Sequence, residues 1–195
     1  SQFIYFSGIG VNKDSGSLRS KAIYQSEQYI QKYLKNSVLI RPGIIIGGGD
    51  QFLKGLLPLF KNSFFIPLFG DGLSKFQPVF IDDILTATCK IIEKPILGKH
   101  TFEFTGPEVF TYKELYNYLS DCMNKTRVLV PLPFFIIKFG ISVLEKILTP
   151  PLNSEQLRLF EKDNIASNNY KNLSNLEIKS QDLREIIKKI IKKNM

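Results

Sequence analysis

Val38-Leu39-Ile40-Arg41-Pro42-Gly43, followed at once by Ile44-Ile45-Ile46-Gly47-Gly48-Gly49, decides the fold. Two apolar triplets end on glycine-bearing turns. A strand that faces water on one side alternates apolar with polar residues, whereas a strand covered on both faces reads as an unbroken apolar run. The segment therefore predicts short strands of a parallel sheet buried between two layers. Upstream, Phe3-Ile4-Tyr5-Phe6 is another aromatic and β-branched run, closed by Ser7-Gly8 and Gly10. A polar loop, residues 12–17, separates it from a helix expected from about Leu18 to Lys35, with Ile23, Ile30 and Leu34 facing inward. Strand, helix, strand with continuous apolar runs is the pattern of an α/β layer architecture.

Downstream, residues 51–60 predict a helix interrupted near Pro58. Phe64 to Leu68 and Phe76 to Ile81 read as strands, and Asp82 or Asp83 is placed to cap a helix from about Ile84 to Lys94. Thr101 to Phe104 is strand-like. Thr111-Tyr112-Lys113-Glu114 is a capping box that opens a helix to Met123. Val128-Leu129-Val130 is a short strand. Phe134 to Leu148 is a helix apolar almost all round, which has to be buried or to dock on a partner or membrane. A second capping box at Asn153 to Gln156 opens a helix to about Lys162, and residues 163–175 read as an Asn- and Ser-rich loop. Leu183, Ile186, Ile187, Ile190 and Ile191 form one helical stripe, with Lys188, Lys189, Lys192 and Lys193 opposite. The pattern changes near residue 100, from α/β before it to mainly helical after it.

The chain of 195 residues is 44% hydrophobic and 23% charged, a globular balance that excludes a disordered or collagen-like chain. Its net charge of +8 comes from 21 Lys and only 5 Arg. Phosphate recognition favours the arginine fork, so this excess does not predict a nucleic-acid partner. Cys89 and Cys122 lack metal-type spacing, and His100 is the single histidine, which leaves no metal site and no disulfide framework. The stretch from Val128 to Leu148 is broken by Pro131, Pro133, Lys138, Glu145 and Lys146, so it is a poor membrane span. The chain starts at Ser1 inside a strand-like run, which is the expectation for a fragment whose front half lies elsewhere. Gly47-Gly48-Gly49 follows a strand, but Asp50 comes next and would repel a pyrophosphate, so a turn entering a helix is expected. Asp82-Asp83 reads as first-turn acids, and Arg41 either meets a phosphate or forms an internal ion pair.

Ser20-Lys21-Ala22, Glu27 and Leu39-Ile40-Arg41-Pro42-Gly43 resemble the extended and atypical short-chain dehydrogenase/reductase superfamily, of the NAD-dependent epimerase/dehydratase type. So do Gln77-Pro78-Val79-Phe80-Ile81-Asp82-Asp83 and Phe104-Thr105-Gly106-Pro107 followed by Thr111-Tyr112-Lys113-Glu114-Leu115. Further segments resemble one subgroup: Gly48-Gly49-Asp50-Gln51-Phe52-Leu53, Val130-Pro131-Leu132-Pro133-Phe134, Pro150-Pro151-Leu152 and Asp163-Asn164. That subgroup holds the nucleotide-binding accessory subunits of respiratory complex I (alpha-subcomplex subunit nine type) and their bacterial relatives. The likeness runs from about Phe3 to Ile187.

The resemblance implies the C-terminal part of a Rossmann-like, doubly wound parallel sheet with a smaller, mainly helical C-terminal region. Residues 1–100 would be the second half of a dinucleotide-binding domain, without its first strands and glycine loop. Residues 101–195 would be a substrate-side or partner-side region. By the same resemblance Ser7, Gly8, Lys21, Pro42, Gly43 and Ile44 would line a bound NADP or NAD. The family pairs a tyrosine with a lysine four residues on, and the lysine lowers the tyrosine pKa. Here Lys21 is present, but the tyrosine position is Ser17 and the position of the family's catalytic hydroxyl is Gly8. Tyr5 and Tyr24 do not stand four before Lys21 and read as packing residues. Loss of both proton-handling groups implies a factor of roughly 10² to 10⁴ in the acid/base contribution. The expected function is a non-catalytic or weakly active accessory subunit of NADH:ubiquinone oxidoreductase. Its partners would be the nicotinamide dinucleotide and other complex I subunits, with peripheral membrane contact and no nucleic acid. It would lie on the matrix side of the mitochondrial inner membrane, or on the cytoplasmic face of a bacterial inner membrane. The alternatives are an active reductase or epimerase linked to quinone or lipid metabolism, and a pure interaction module without cofactor.

Overall fold

The computed structural model describes residues 1–144, 157, 160–167 and 169–194. Its centre is a parallel sheet of three strands in the order β1 (Phe3–Phe6), β2 (Ser37–Pro42), β7 (Lys99–Phe104). Phe6 stands opposite Ile40, and Pro42 opposite Phe104, so the carboxyl ends of the strands lie together. The side chains divide with the two-residue period of a strand. Val38, Ile40, Phe102 and Phe104 pack with Ile84, Ala87 and Ile91 of α3 (Ile81–Glu93) on one face. On the other face α1 (Leu18–Tyr33) lies across the sheet, tied by Glu27 to Arg41 and by Gln31 Nε2 to Thr101 Oγ1 at 3.2 Å. Both faces are covered, as the unbroken apolar runs predict.

Three ribbons surround this sheet. β3 (Ile45–Ile46) pairs in parallel with β6 (Val79–Phe80), and β4 (Phe65–Phe69) in parallel with β9 (Val128–Leu132). β5 (Lys75–Phe76) pairs antiparallel with β8 (Phe110–Thr111). A second apolar cluster joins α2 (Gln51–Asn62), α4 (Tyr112–Cys122) and α6 (Leu183–Asn194) through Leu53, Phe60, Tyr116, Leu119, Ile187 and Ile191. Each of the two clusters draws residues from both sides of position 100.

Several elements differ from the sequence reading, each for a physical reason. α2 runs through Pro58 without a break. Pro58 lies on the exposed side, so the carbonyl that it leaves unpaired meets water, while Leu53, Leu57 and Phe60 anchor the opposite side. α3 begins at Ile81, and Phe80 precedes it without a side-chain cap. Asp82 and Asp83 lie inside its first turn. The strand expected over residues 76–81 is split in two, because Pro78 cannot donate and Gln77 passes beneath Gly43. Over residues 134–139, α5 (Phe134–Leu144) is only partly buried: Phe135 is 72% and Phe139 73% exposed, which leaves the docking alternative. It leans on the chain through Phe134, whose ring covers Gly70. Residues 145–148 of that expected helix, the Pro150-Pro151 stop and most of the one expected from Asn153 lie outside the described residues. The expected loop over residues 163–175 is firmly tied and ends in a single 3₁₀ turn, Leu173–Leu176. The capping box at Thr111 and the amphipathic final helix are as predicted.

Candidate nucleotide-binding edge

In an open parallel sheet, ligands sit beyond the carboxyl ends of the strands, where helix N-termini also point. Here the chain past each strand end is held by its neighbour. Ser7 N–H donates to Ile40 O (2.7 Å), Ile9 N–H to Pro42 O (3.1 Å) and Gly43 N–H to Phe104 O (2.9 Å). These bonds bring Ser7 and Gly8 alongside Pro42 and Gly43. The Ser7 hydroxyl is buried and has no hydrogen-bond partner among the described residues. Next to it, a side chain at Gly8 would meet no atom within 4 Å. The orphan hydroxyl has almost no accessible surface of its own, and the open space lies at the next residue, so a polar ligand at this edge would reach the Gly8 backbone first.

Gly43 has the opposite surroundings. Any Cβ there would collide with the Gln77 carbonyl. The Pro42-Gly43 turn is thereby fixed against the segment Gln77-Pro78. Ile44 is drawn away from the edge: its carbonyl accepts from Val79 N–H at 2.9 Å, and its side chain packs against the second cluster. Lys21 stands in the first turn of α1, exposed, and its ammonium has no hydrogen-bond or ion-pair partner among the described residues. Ser17 is the N-cap of α1. Its hydroxyl accepts from Ser20 N–H (3.1 Å), and its carbonyl accepts from Lys21 N–H (3.1 Å). The two positions are thus one helical turn apart, but the tyrosine position is filled by a capping serine. Three tyrosines have displaced ionisation: Tyr112, Tyr116 and Tyr118 are all pushed upward, chiefly by burial. That is the wrong direction for a phenolate base.

The glycine run is a turn. Gly47 N–H donates to Asp50 Oδ2 (3.1 Å), while Asp50 Oδ1 caps α2 by accepting from Leu53 N–H (2.7 Å). Arg41 is not a phosphate ligand: its guanidinium forms a two-point ion pair with Glu27, which is fully buried, and that hydrogen bond raises the Arg41 pKa further.

Gln77 is the residue that the sequence reading undervalued. Its Nε2 donates to Gly106 O (2.9 Å), its Oε1 accepts from Ala166 N–H (3.1 Å), and its backbone N–H donates to Asn164 O (3.0 Å). Gly106 N–H in turn donates to Pro78 O at 2.7 Å. The motifs around Gln77, Gly106 and Asn164 therefore form one knot beneath the turn. Glu103, also buried, accepts from Ser167 N–H (2.6 Å) and Oγ (3.1 Å) and ties the same late segment to β7. The signal in the sequence was a polar residue inside an apolar strand at positions 77 and 103.

Over 188 residues the chain is 30% identical to NADH dehydrogenase (ubiquinone) 1 alpha subcomplex subunit 9, mitochondrial, of Arabidopsis thaliana, covering 91% of this chain and 46% of that protein. The chain is homologous to these subunits. The subunit of the same name from Dictyostelium discoideum is 26% identical over 189 residues, 94% of this chain and 52% of its own length. The chain thus spans about half the length of the curated relatives it matches. No family model matches. Among solved structures, a human epimerase family protein with NADPH superposes with a TM-score of 0.70 at 14% identity, covering 97% of this chain and 64% of that one. At that identity the likeness establishes the fold: an α/β, Rossmann-like parallel sheet with a helical C-terminal region.

Proposed function

We propose that the chain is the carboxyl half of a nicotinamide-dinucleotide-binding accessory subunit of respiratory NADH:ubiquinone oxidoreductase, non-catalytic or weakly active. The observation that carries this reading is the carboxyl edge, where Gly8 leaves open space alongside the Pro42-Gly43 turn and the neighbouring Ser7 hydroxyl has no partner among the described residues. Those groups fit the nicotinamide half of NADP or NAD: Ser7 offers a hydrogen bond, Gly8 room for close approach and Pro42-Gly43 a rigid backbone wall. When bound, the dinucleotide supplies hydride chemistry. This chain brings no tyrosine at position 17 and no hydroxyl at position 8 to move a proton with it.

The first half of the nucleotide domain, with its glycine loop, would add to the bare side of β1. Among the described residues that strand has one neighbour only, and Phe3 and Phe6 are 45% and 50% exposed. Edge strands are usually blunted by lysine, proline or a bulge, and Phe3-Ile4-Tyr5-Phe6 carries no lysine or proline. The other side of the sheet is closed, since Glu103 N–H donates to Lys171 O at 2.7 Å. The relatives' names support a mitochondrial setting, and the finer placement is part of the proposal. The chain would assemble with other complex I subunits, peripheral to the mitochondrial inner membrane on its matrix side. Among the described residues no helix is long and apolar enough to cross a membrane.

NADPH and NADH are titrated into the chain while the amide signals of Ser7, Gly8 and Gly43 are followed. Shifts confined to this edge are expected once the glycine-loop half is supplied alongside, and none there sinks the binding claim. Turnover of a ketone or nucleotide sugar sinks the non-catalytic claim. Affinity capture from solubilised inner membranes should recover NADH:ubiquinone oxidoreductase activity, and capture without it sinks the assembly claim.

A further inference from the structure

We infer that Glu27 and Arg41 are positioning residues for the nucleotide edge, an inference that rests on the binding reading above. Glu27 is 0% exposed, and Arg41 reaches it with Nε at 2.9 Å from Oε1 and Nη2 at 2.5 Å from Oε2. Two parallel bonds fix separation and plane together. What they join is specific. Glu27 lies on α1 six residues after Lys21, about 9 Å along the helix axis. Arg41 is the residue immediately before Pro42. The pair therefore locks the helix that carries Lys21 to the strand end that carries the Pro42-Gly43 turn.

Arg41 is also held from a third side. The Tyr170 ring covers its guanidinium at 4.8 Å, and the strand register places it beside Glu103, whose carboxylate is engaged by Ser167. Desolvation offsets most of the attraction in a buried ion pair, so its contribution is to geometry more than to stability. An apolar contact between α1 and β2 would permit small slides that a two-point fork forbids. The next polar tie between α1 and the sheet, Gln31 to Thr101, lies a turn farther from Lys21.

Two variants separate geometry from stability. Arg41→Lys keeps the charge but loses the fork. Glu27→Leu with Arg41→Met replaces the pair by apolar groups of similar volume, a change that is often neutral for stability. Thermal midpoint, amide hydrogen exchange and NADPH affinity by fluorescence are measured on the same 195-residue chain. The double variant is expected to keep its midpoint. Its Ile9 and Gly43 amides should exchange about tenfold faster, and its NADPH Kd should rise about tenfold, the lower end of what loss of an orienting outer-shell partner costs at metal sites. Control amides at Leu57 and Leu119 should not change. Unchanged exchange at Ile9 and Gly43 in a variant that keeps its midpoint overturns the inference. A parent chain that does not bind NADPH even with its glycine-loop half supplied overturns the binding reading instead, and the exchange contrast still decides the positioning. Where the double variant fails to fold, Arg41→Lys carries the same comparison.

Discussion

Asp83, in the first turn of α3, accepts two hydrogen bonds from Gln181: one from its backbone N–H at 3.0 Å and one from Nε2 at 3.1 Å. The carboxylate is almost wholly buried and joins segments 98 positions apart. It pins the approach to α6 against the helix that covers the sheet. Asp83→Ala leaves both donors without a protein partner. A loss of about 1.5–3 kcal/mol is expected, the net worth of hydrogen bonds to a charged acceptor that is itself buried. Urea unfolding of the variant checks this, and a midpoint equal to that of the parent would show that water replaces the carboxylate. Asp82→Ala, on the exposed side of the same turn, serves as the control.

The two glycines of the edge should respond oppositely. Gly8→Ser has open space and no left-handed backbone to oppose it. Stability should hold or rise by about 0.4–1 kcal/mol through a less flexible unfolded chain. Gly43→Ala drives a methyl into the Gln77 carbonyl and should cost about 1–3 kcal/mol. Thermal denaturation of the pair reads both signs, and a destabilised Gly8→Ser would show that the site is filled.

Restoring the missing tyrosine carries a structural penalty. Ser17→Tyr removes the hydroxyl that caps α1, so it should cost about 0.5–2 kcal/mol, as Ser17→Ala does. Gly8→Ser combined with Ser17→Tyr then tests how much proton transfer two hydroxyls restore. Helix content and thermal midpoint are measured beside reductase assays, and a Ser17→Ala midpoint equal to the parent would dismiss the cap.

Acid should weaken the start of α4. Glu114 accepts from Thr111 N–H (2.7 Å) and Thr111 Oγ1 (2.9 Å), and these bonds hold its carboxyl below the usual range. A pKa lowered in the folded state gives stability that is present above the unfolded carboxylate value and is lost as pH falls through the folded one. Glu114→Gln can keep the box but does not titrate, so its stability should change less between neutral and acidic pH. Glu114 is largely exposed, so solvent screens the effect and it should be small. Paired melting curves at pH 7 and near pH 3 decide it, and parallel pH profiles would exclude this carboxylate.

Much of this protein follows from local pattern. The apolar triplets around Pro42, the box at Thr111 and the stripe from Leu183 to Ile191 each form what nearest-neighbour physics dictates, because period and capping act within a few residues. The spacing of Ser17 and Lys21 was likewise legible, since a helical turn is fixed by sequence distance alone. Tertiary structure decided the rest. It determined that Pro58 stays within α2, where three core anchors outweigh one lost hydrogen bond. It left Phe135 and Phe139 of α5 exposed although composition alone would bury them. It chose Glu27 as the partner of Arg41, made Gln77 the centre of a knot with Gly106 and Asn164, and left the Ser7 hydroxyl without a partner among the described residues. Those outcomes depend on which distant groups meet, and a buried charge or amide takes its meaning from the partner that closes its hydrogen bond, 98 positions away for Asp83 and Gln181.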